Sequence, residues 1–435
     1  MSTDLRKNLT LGYNTPQRKT SMDNFTREEI MNYMKEQDVS FIRLAFCDIF
    51  GQLKNTSISV ESLEKALDKG IGFNASAIRG FMNVEDSDLL LFPDPSTLTI
   101  LPWRPVQGKV ARFFCDIRHS DGRPFEGDAR YILKEYEKKI REEGLDLQIG
   151  SEVEFYLFKQ DDEGNPTDIP MDRASYFDIA PLDKGVDIRR DICLTMEQMG
   201  IAYEASHHEK GPGQNEVRIN SSLLLDAADH LISFKDLVKV IANRMGLFAS
   251  FLPKPLFNEN GSGLTVNITL KNSTLQKEMV GGILRRIKEI TIFLNPVANS
   301  YDRMGTFEAP MMVDYGYGNK KFLVKIPQSN IENCRIKVRS ADPSCNPYLA
   351  YLLLIGAAIE GIKDHIDPDD YCKGDMLPDT LIDAVRIAEK STFIKTLLPE
   401  NFVERFLQAK REDWETSSLS GDPMLTAKSM EFSVT

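Results

Sequence analysis

The sequence predicts an α+β protein of two folded units, and three observations carry that prediction. Strand-like stretches come in runs separated by single helices, without the strict alternation of a doubly wound sheet. At 435 residues the chain is too long for one small core. Two prolines, Pro102 and Pro105, fall within four residues and read as a boundary. The expected organisation is a polar tail over 1–22, a small unit over 23–105 and a larger one over 106–435.

In the first unit, Thr26-Arg27-Glu28-Glu29 has the form of a capping box, and Ile30, Tyr33 and Met34 give the following helix one apolar face. Strands over 39–48 and 53–60 flank a turn at Gly51. A helix from Ser62 to Lys69 stops at Gly70, where the missing Cβ suits a left-handed C-cap. The second unit opens with a strand over 109–117, then a helix capped by Asp128 and ended by Gly144. Helices follow at about 186–199, 233–245 and 275–294, with strands at 247–252, 264–270, 322–326 and 335–339. Three closing helices begin near Asn346, Asp379 and Asn401.

The stretch Gly150 to Phe158 is the strand that bears most on function. Leu147, Ile149, Val153, Phe155 and Leu157 fall on one face, and Glu152 and Glu154 on the other. Two carboxylates whose Cβ atoms sit roughly 6–7 Å apart on a rigid element repel in a cleft, and a cation is the simplest remedy. A solvated acidic face is the alternative for an isolated pair. Downstream, His207-His208-Glu209-Lys210-Gly211-Pro212-Gly213-Gln214-Asn215-Glu216 adds two carboxylates around a turn able to fold Glu209 back towards Glu216. With Glu154 these make a three-carboxylate set of hard oxygen ligands, suited to Mg²⁺ or Mn²⁺. Asn260-Gly261-Ser262-Gly263 is a tight turn before a strand, able to bring backbone groups close to a ligand.

Bulk properties exclude several classes. A net charge of −12 and a pI near 5.1 argue against nucleic-acid or anionic-membrane partners, which leaves small molecules and proteins. Six scattered cysteines without a C-x-x-C predict neither a zinc site nor a disulfide framework, and fit a cytoplasmic setting. The first 22 residues carry Arg6, Lys7, Arg18 and Lys19 without an apolar centre, so they read as a tail and not a secretory signal. No apolar run approaches the ~20 residues needed to cross a bilayer.

Taken together, His207 to Glu216, Asn260 to Gly263, Asn299-Ser300-Tyr301, Phe307-Glu308-Ala309-Pro310 and Arg339 to Leu349 resemble the signatures of the glutamine synthetase family, in the family's order. Phe46 to Lys54 and Phe125 to Asp128 agree as well, and the resemblance spans about 26–415, closest to the bacterial type I branch. It implies a β-grasp N-terminal domain, a larger catalytic domain, and a homo-oligomer of stacked hexameric rings with sites between neighbouring subunits. It also implies ATP as co-substrate, formation of γ-glutamyl phosphate, and attack by ammonia or an amine. On that pattern Glu154, Glu209 and Glu216 hold a first metal and Glu152 serves a second. Asn260, Gly261, Arg303 and Arg339 hold the glutamate, and Glu308 lies on a flap that closes over it.

The chain also departs from the pattern. A histidine expected after Asn260-Gly261-Ser262-Gly263 is Thr265, and a glutamate expected two residues before Arg339 is Lys337. The resemblance then predicts one metal site, with the Lys337 ammonium paired to Glu152 in place of the second ion. Two expected arginines are Lys320 and Lys325, which keep charge but lose bidentate phosphate geometry. The aspartate that a neighbouring β-grasp domain offers to ammonium is Asn74, and a nearby serine is Ala77. Glu308, Lys320 and Asn74 are the catalytic positions carried over. The expected function is a divergent ligase joining glutamate, or a related acid, to an amine other than ammonia. The alternatives are a non-catalytic ring kept for regulation or scaffolding, and a metal-dependent amide hydrolase.

Overall fold

The computed structural model describes residues 26–81, 88–104, 107–270, 275–318, 321–327 and 334–420; the tail over 1–22, Pro105 and Lys320 lie outside them. The chain opens with α1 (Arg27–Glu36), β1 (Val39–Cys47), β2 (Leu53–Ser59), α2 (Leu63–Lys69), β3 (Ile71–Asn74), β4 (Asp88–Pro93), β5 (Thr99–Ile100) and β6 (Lys109–His119). Helix α1 starts in a true capping box: Glu29 N donates to Thr26 Oγ1 at 3.3 Å, and Thr26 N donates to Glu29 Oε2 at 2.7 Å. Gly70 ends α2 with φ 69° and ψ 174°, a mirror-extended conformation rather than the left-handed helical one. Only glycine takes it readily, and a Cβ there would meet the Phe92 ring at 2.9 Å.

The strands form a six-stranded sheet in the order β2-β1-β6-β4-β3, with β5 on β6. Strand β1 runs parallel to β6 and the other pairs are antiparallel. This corrects the sequence reading of 109–117 as the opening of the second unit. Strand β6 is the buried centre of the first sheet, and the unbroken burial from Val110 to Ile117, charged Arg112 and Asp116 included, reflects cover on both faces. Pro102 lies in the turn after β5, and the first sheet continues through β6 to His119.

The second unit comprises α3 (Ala129–Glu142), β7 (Leu147–Gln160), β8 (Pro166–Pro170), α4 (Val186–Gln198), β9 (Tyr203–His208), β10 (Gln214–Ser222), α5 (Leu224–Arg244), β11 (Leu247–Ser250) and β12 (Leu264–Leu270). It continues with α6 (Gln276–Leu294), α7 (Ala298–Arg303), β13 (Tyr315–Tyr317), β14 (Val324–Ile326), β15 (Cys334–Val338), α8 (Pro347–Asp364), α9 (Leu381–Glu389), α10 (Thr392–Leu397) and α11 (Glu400–Ser420). Helix α5 begins nine residues before Ser233, because Asp226, Asp229 and His230 interrupt an apolar stripe that Leu224, Ala227, Ala228 and Leu231 continue. The closing stretch holds α10 in addition to the three expected helices, a six-residue piece too short to show a period.

A nine-stranded sheet runs β13-β14-β15-β12-β7-β10-β9, with β8 and β11 both on β7. Its apolar face, with Val153, Phe155, Val217, Val266 and Ile336, is buried. Helix α8 is buried on nearly every side, yet no described helix is long and apolar enough to cross a membrane.

A buried ion network ties the two units together. Arg130 on α3 donates to Asp94 at 3.1 Å and Asp116 at 3.0 Å from the first unit, and to Asp229 on α5 at 2.9 Å. Beside it Asp128 caps α3, accepting from Ile117 N at 2.9 Å and Tyr131 N at 3.2 Å. Burial, reinforced by the Asp116 charge, pushes its carboxyl up to about 6. The folded state therefore holds a proton that the unfolded chain releases near ~4. Stability from this proton is present at the acid end and falls as pH rises through about 6, by roughly 3 kcal/mol. Asp128→Asn keeps a cap oxygen for Tyr131 and is expected to flatten that slope in urea titrations run across this pH range.

Candidate active site

The polar face of the nine-stranded sheet is set by strand register. Glu154 on β7 stands opposite Glu216 on β10, and Glu216 stands opposite His207 on β9. One step along, Glu152 lies between Thr265 on β12 and Arg218 on β10. Directly opposed residues bring their Cβ atoms to ~5 Å, so the sheet itself concentrates these groups.

Glu209 joins them from the β9–β10 turn. Gln214 N donates to Gly211 O at 3.0 Å and Glu209 N to Gln214 O at 2.8 Å, which folds the turn back on itself. Ligand atoms of His207, Glu209 and Glu216 all lie within 4.8 Å of one another. His207 Nε2 is 2.8 Å from Glu209 Oε1. Glu154 accepts from Gly263 N at 2.8 Å and Gln214 Nε2 at 3.2 Å. Burial raises the Glu154 carboxyl well above the carboxylate range, and the charges of Glu209 and Glu216 raise it further. Glu216 is also raised, by burial and by Glu152, although Arg218 Nε donates to it at 2.8 Å. Among the described residues neither Glu154 nor Glu209 has a lysine or arginine at ion-pair distance. Glu209 and Glu216 with the His207 imidazole form the close cluster, and Glu154 opposite Glu216 adds a carboxylate without a cationic partner among the described residues, a set that fits a divalent cation with oxygen ligands.

Glu152 has a different fate. The Lys337 ammonium contacts its Oε1, and Asn267 Nδ2 donates to the same atom at 3.1 Å. Burial raises this carboxyl, but the Lys337 charge and hydrogen bond, with Asn267 and Arg218, together outweigh it and the net shift is downward. Thr265 faces Glu152 across the ladder with a hydroxyl, a poor ligand. A fixed ammonium fills the charge requirement here, so these residues do not fit a second ion.

Above the carboxylates lies a cavity of about 50 Å³ lined by Asn260, Gly261, Arg303, Glu308, Arg339 and Lys210, among others. Arg303 Nη2 is held by Ser340 O at 2.7 Å and Ala341 O at 3.1 Å. Arg339 Nη2 donates to Glu308 O at 3.2 Å. The buried Arg303 Nε and Arg339 Nη1 find no hydrogen-bond partner among the described residues, as expected of groups awaiting an anionic ligand. A methyl on Gly261 would lie 2.5 Å from Pro253 O and Arg303 Cγ. Gly261→Ala should therefore displace Arg303 and cost about 1–3 kcal/mol, read as a lower thermal midpoint.

Comparison with known proteins places this arrangement. The profile of the glutamine synthetase catalytic domain matches residues 126–427, and that of the glutamine synthetase beta-grasp domain matches 38–120. The chain belongs to the glutamine synthetase family. It is 41% identical over 421 residues to a glutamine synthetase of Methanosarcina mazei, covering 90% of this chain and 94% of that one. Identity to a glutamine synthetase of Clostridium saccharobutylicum is 39%, covering 91% and 96%. Among solved structures, one titled as a GmaS/ADP complex is similar at TM-score 0.80 and 25% identity, covering 89% of this chain and 96% of that chain. A Plasmodium falciparum glutamine synthetase shares the fold at TM-score 0.82 and 22% identity, covering 92% and 97%.

The β-grasp and catalytic domains of glutamine synthetases thus account for the two sheets, and the family uses ATP and divalent ions. Not every position carried over from the family meets in one chain. Asn74 is exposed at the end of β3, where its Oδ1 accepts from Ser76 N at 3.0 Å, and it does not line the cavity. Lys325 on β14 is registered opposite Lys337, at the side of the carboxylate row. Lys320 lies outside the described residues. Sequence reasoning passed over Lys210, whose ammonium contacts Glu308, because a lysine in a turn reads as solvated. It also passed over Lys254, buried with Nζ 2.6 Å from Glu259 O and 4.5 Å from the Phe307 ring centre. The Pro-Lys-Pro setting of Lys254, rigid on both sides, was the available signal.

Proposed function

We propose that this chain is an ATP-dependent carboxylate–amine ligase. It activates the side-chain carboxyl of a glutamate-like acid as an acyl phosphate and passes the acyl group to an amine other than ammonia. It runs with one divalent ion, Mg²⁺ or Mn²⁺, where the family pattern has two. The observation that carries this reading is the Lys337 ammonium on Glu152, a cation built into the chain at the second position.

Arg303 and Arg339 bind the acid's carboxylates, and Asn260 and Gly261 orient it from the turn before β12. Glu308 and its neighbours cover the acyl phosphate against water. Lys325, with Lys320, offers charge to the nucleotide phosphates. A divalent ion held by Glu154, Glu209 and Glu216 would supply neutralisation of phosphate charge. The names of the curated relatives support ligase chemistry on glutamate, and the GmaS/ADP title supports a nucleotide in this fold. Asn74, in place of a carboxylate, holds and deprotonates ammonium poorly, which supports a different amine. Stacked hexameric rings are supported by the exposed apolar residues Ile179 (77%) and Leu182 (64%), which a neighbouring subunit would cover. A cytoplasmic setting is supported by the free thiols of Cys47, Cys115, Cys193, Cys345 and Cys372.

The two lysines that occupy Glu152 and Glu308 favour the second reading, a catalytically silent ring with a regulatory or structural role. Phosphate release from ATP with glutamate and a panel of amines, ammonia included, separates them. The ligase reading expects release with at least one amine to exceed that with ammonia. Silence across the panel would establish the second.

A further inference from the structure

We infer that Lys210 is a positioning residue that clamps the segment around Glu308 over the cavity, so that an entering ligand must first displace an internal ammonium. The inference rests on the ligase reading only for the identity of that ligand.

Lys210 sits in the β9–β10 turn, next to Glu209, and its backbone N donates to Glu209 Oε2 at 3.2 Å. The turn that carries it is tight, so the stem of its side chain starts from a fixed point. Its ammonium reaches the Glu308 carboxylate, 98 residues away in the chain, with the two side chains 33% and 37% exposed. A pair at this exposure is worth little as a contribution to global stability. It is well placed to bias a local opening.

The clamped segment is also held by local hydrogen bonds and by two further cations. Gly305 N donates to Ala309 O at 3.2 Å and Ala309 N to Thr306 O at 3.0 Å, closing a small turn on itself. Phe307 inside it has φ 51°, a strained value for an aromatic residue, and its side chain is largely exposed. Lys254 approaches from beneath, with Nζ 3.3 Å from Thr306 Oγ1, and Arg339 holds Glu308 O. Three cations on three separate elements thus draw one turn down onto the cavity.

The cavity under this roof holds only a few waters at ~10–15 Å³ each, less than an amino acid needs. Arg303 Nε and Arg339 Nη1 are buried there without hydrogen-bond partners among the described residues. Groups arranged for an anion therefore lie in a cavity too small for an amino acid while the carboxylate–ammonium pair holds its roof down. Of the attachments named, the Lys210 pair joins the roof to the loop that bears Glu209, so its rupture is the step that opens the cavity on that side.

Hydrogen exchange of the full-length protein, followed by mass spectrometry, tests this without reference to turnover. Lys210→Met and Glu308→Gln should each speed exchange of the Gly305, Thr306 and Ala309 amides by about tenfold. The double variant should match either single one, and Lys210→Arg should keep the wild-type rate. Exchange in α8 and the thermal midpoint serve as controls for global damage. Unchanged exchange in Lys210→Met, or additive effects in the double variant, would overturn the clamp. Failure of the ligase reading would show instead as absent turnover in a wild-type protein whose exchange still depends on Lys210.

Discussion

Glu154→Gln lowers affinity for a divalent ion on the order of a hundredfold or more, while raising the thermal midpoint of the metal-free protein. The two effects share one cause. Register sets Glu154 opposite Glu216 and the folded turn brings up Glu209, so the three carboxylates repel unless a cation is present. An amide removes the repulsion and one charged ligand at once. It still offers an oxygen to the Gly263 N–H, which Glu154 accepts at 2.8 Å, so the turn before β12 keeps its attachment. Calorimetric titration with Mn²⁺ and melting curves in chelator check both halves. Unchanged affinity would mean that the ion binds elsewhere.

Lys337→Met produces the opposite balance, a loss of stability of about 2–4 kcal/mol. Breaking a buried pair costs ~3–5 kcal/mol, because the remaining charge keeps its desolvation penalty. The lower figure reflects side chains 20% exposed at Lys337 and 11% at Glu152. Asn267 remains as a donor to Glu152 and cannot replace a full charge. Removing both charges, as Lys337→Met with Glu152→Gln, should recover all but about 1 kcal/mol. Urea unfolding at fixed protein concentration measures the cycle, and a double variant as unstable as Lys337→Met would show that the pair is not what holds Glu152.

The contrast between these variants shows how far the residues alone carry the site. Period-two alternation is enough to put Glu152 and Glu154 on one face of β7, and the two-residue spacing puts Arg339, just past the end of β15, in phase with Lys337. That Glu154 meets Glu216, and that Thr265 meets Glu152, depends on register between strands far apart in the chain. Side-chain period does not specify register without the pairing partner. Strand β6 shows the same limit at the level of the fold. A strand covered on both faces looks alike whichever sheet owns it, and its pairing with β1, β4 and β5 assigns it. The capping box of α1 was legible because both of its partners lie within one turn. The Lys210–Glu308 contact was not, since nothing local in either segment points to the other.

Counting bound divalent ions per chain tests the central claim most directly: that a lysine has taken the place of the second ion. Elemental analysis of protein dialysed against excess Mn²⁺ should find one tightly bound ion per chain. Thr265→His with Lys337→Glu should restore a second and raise the count to two. Two tight ions in the unmodified protein would contradict the account, because Glu152 would then hold a metal despite the ammonium beside it.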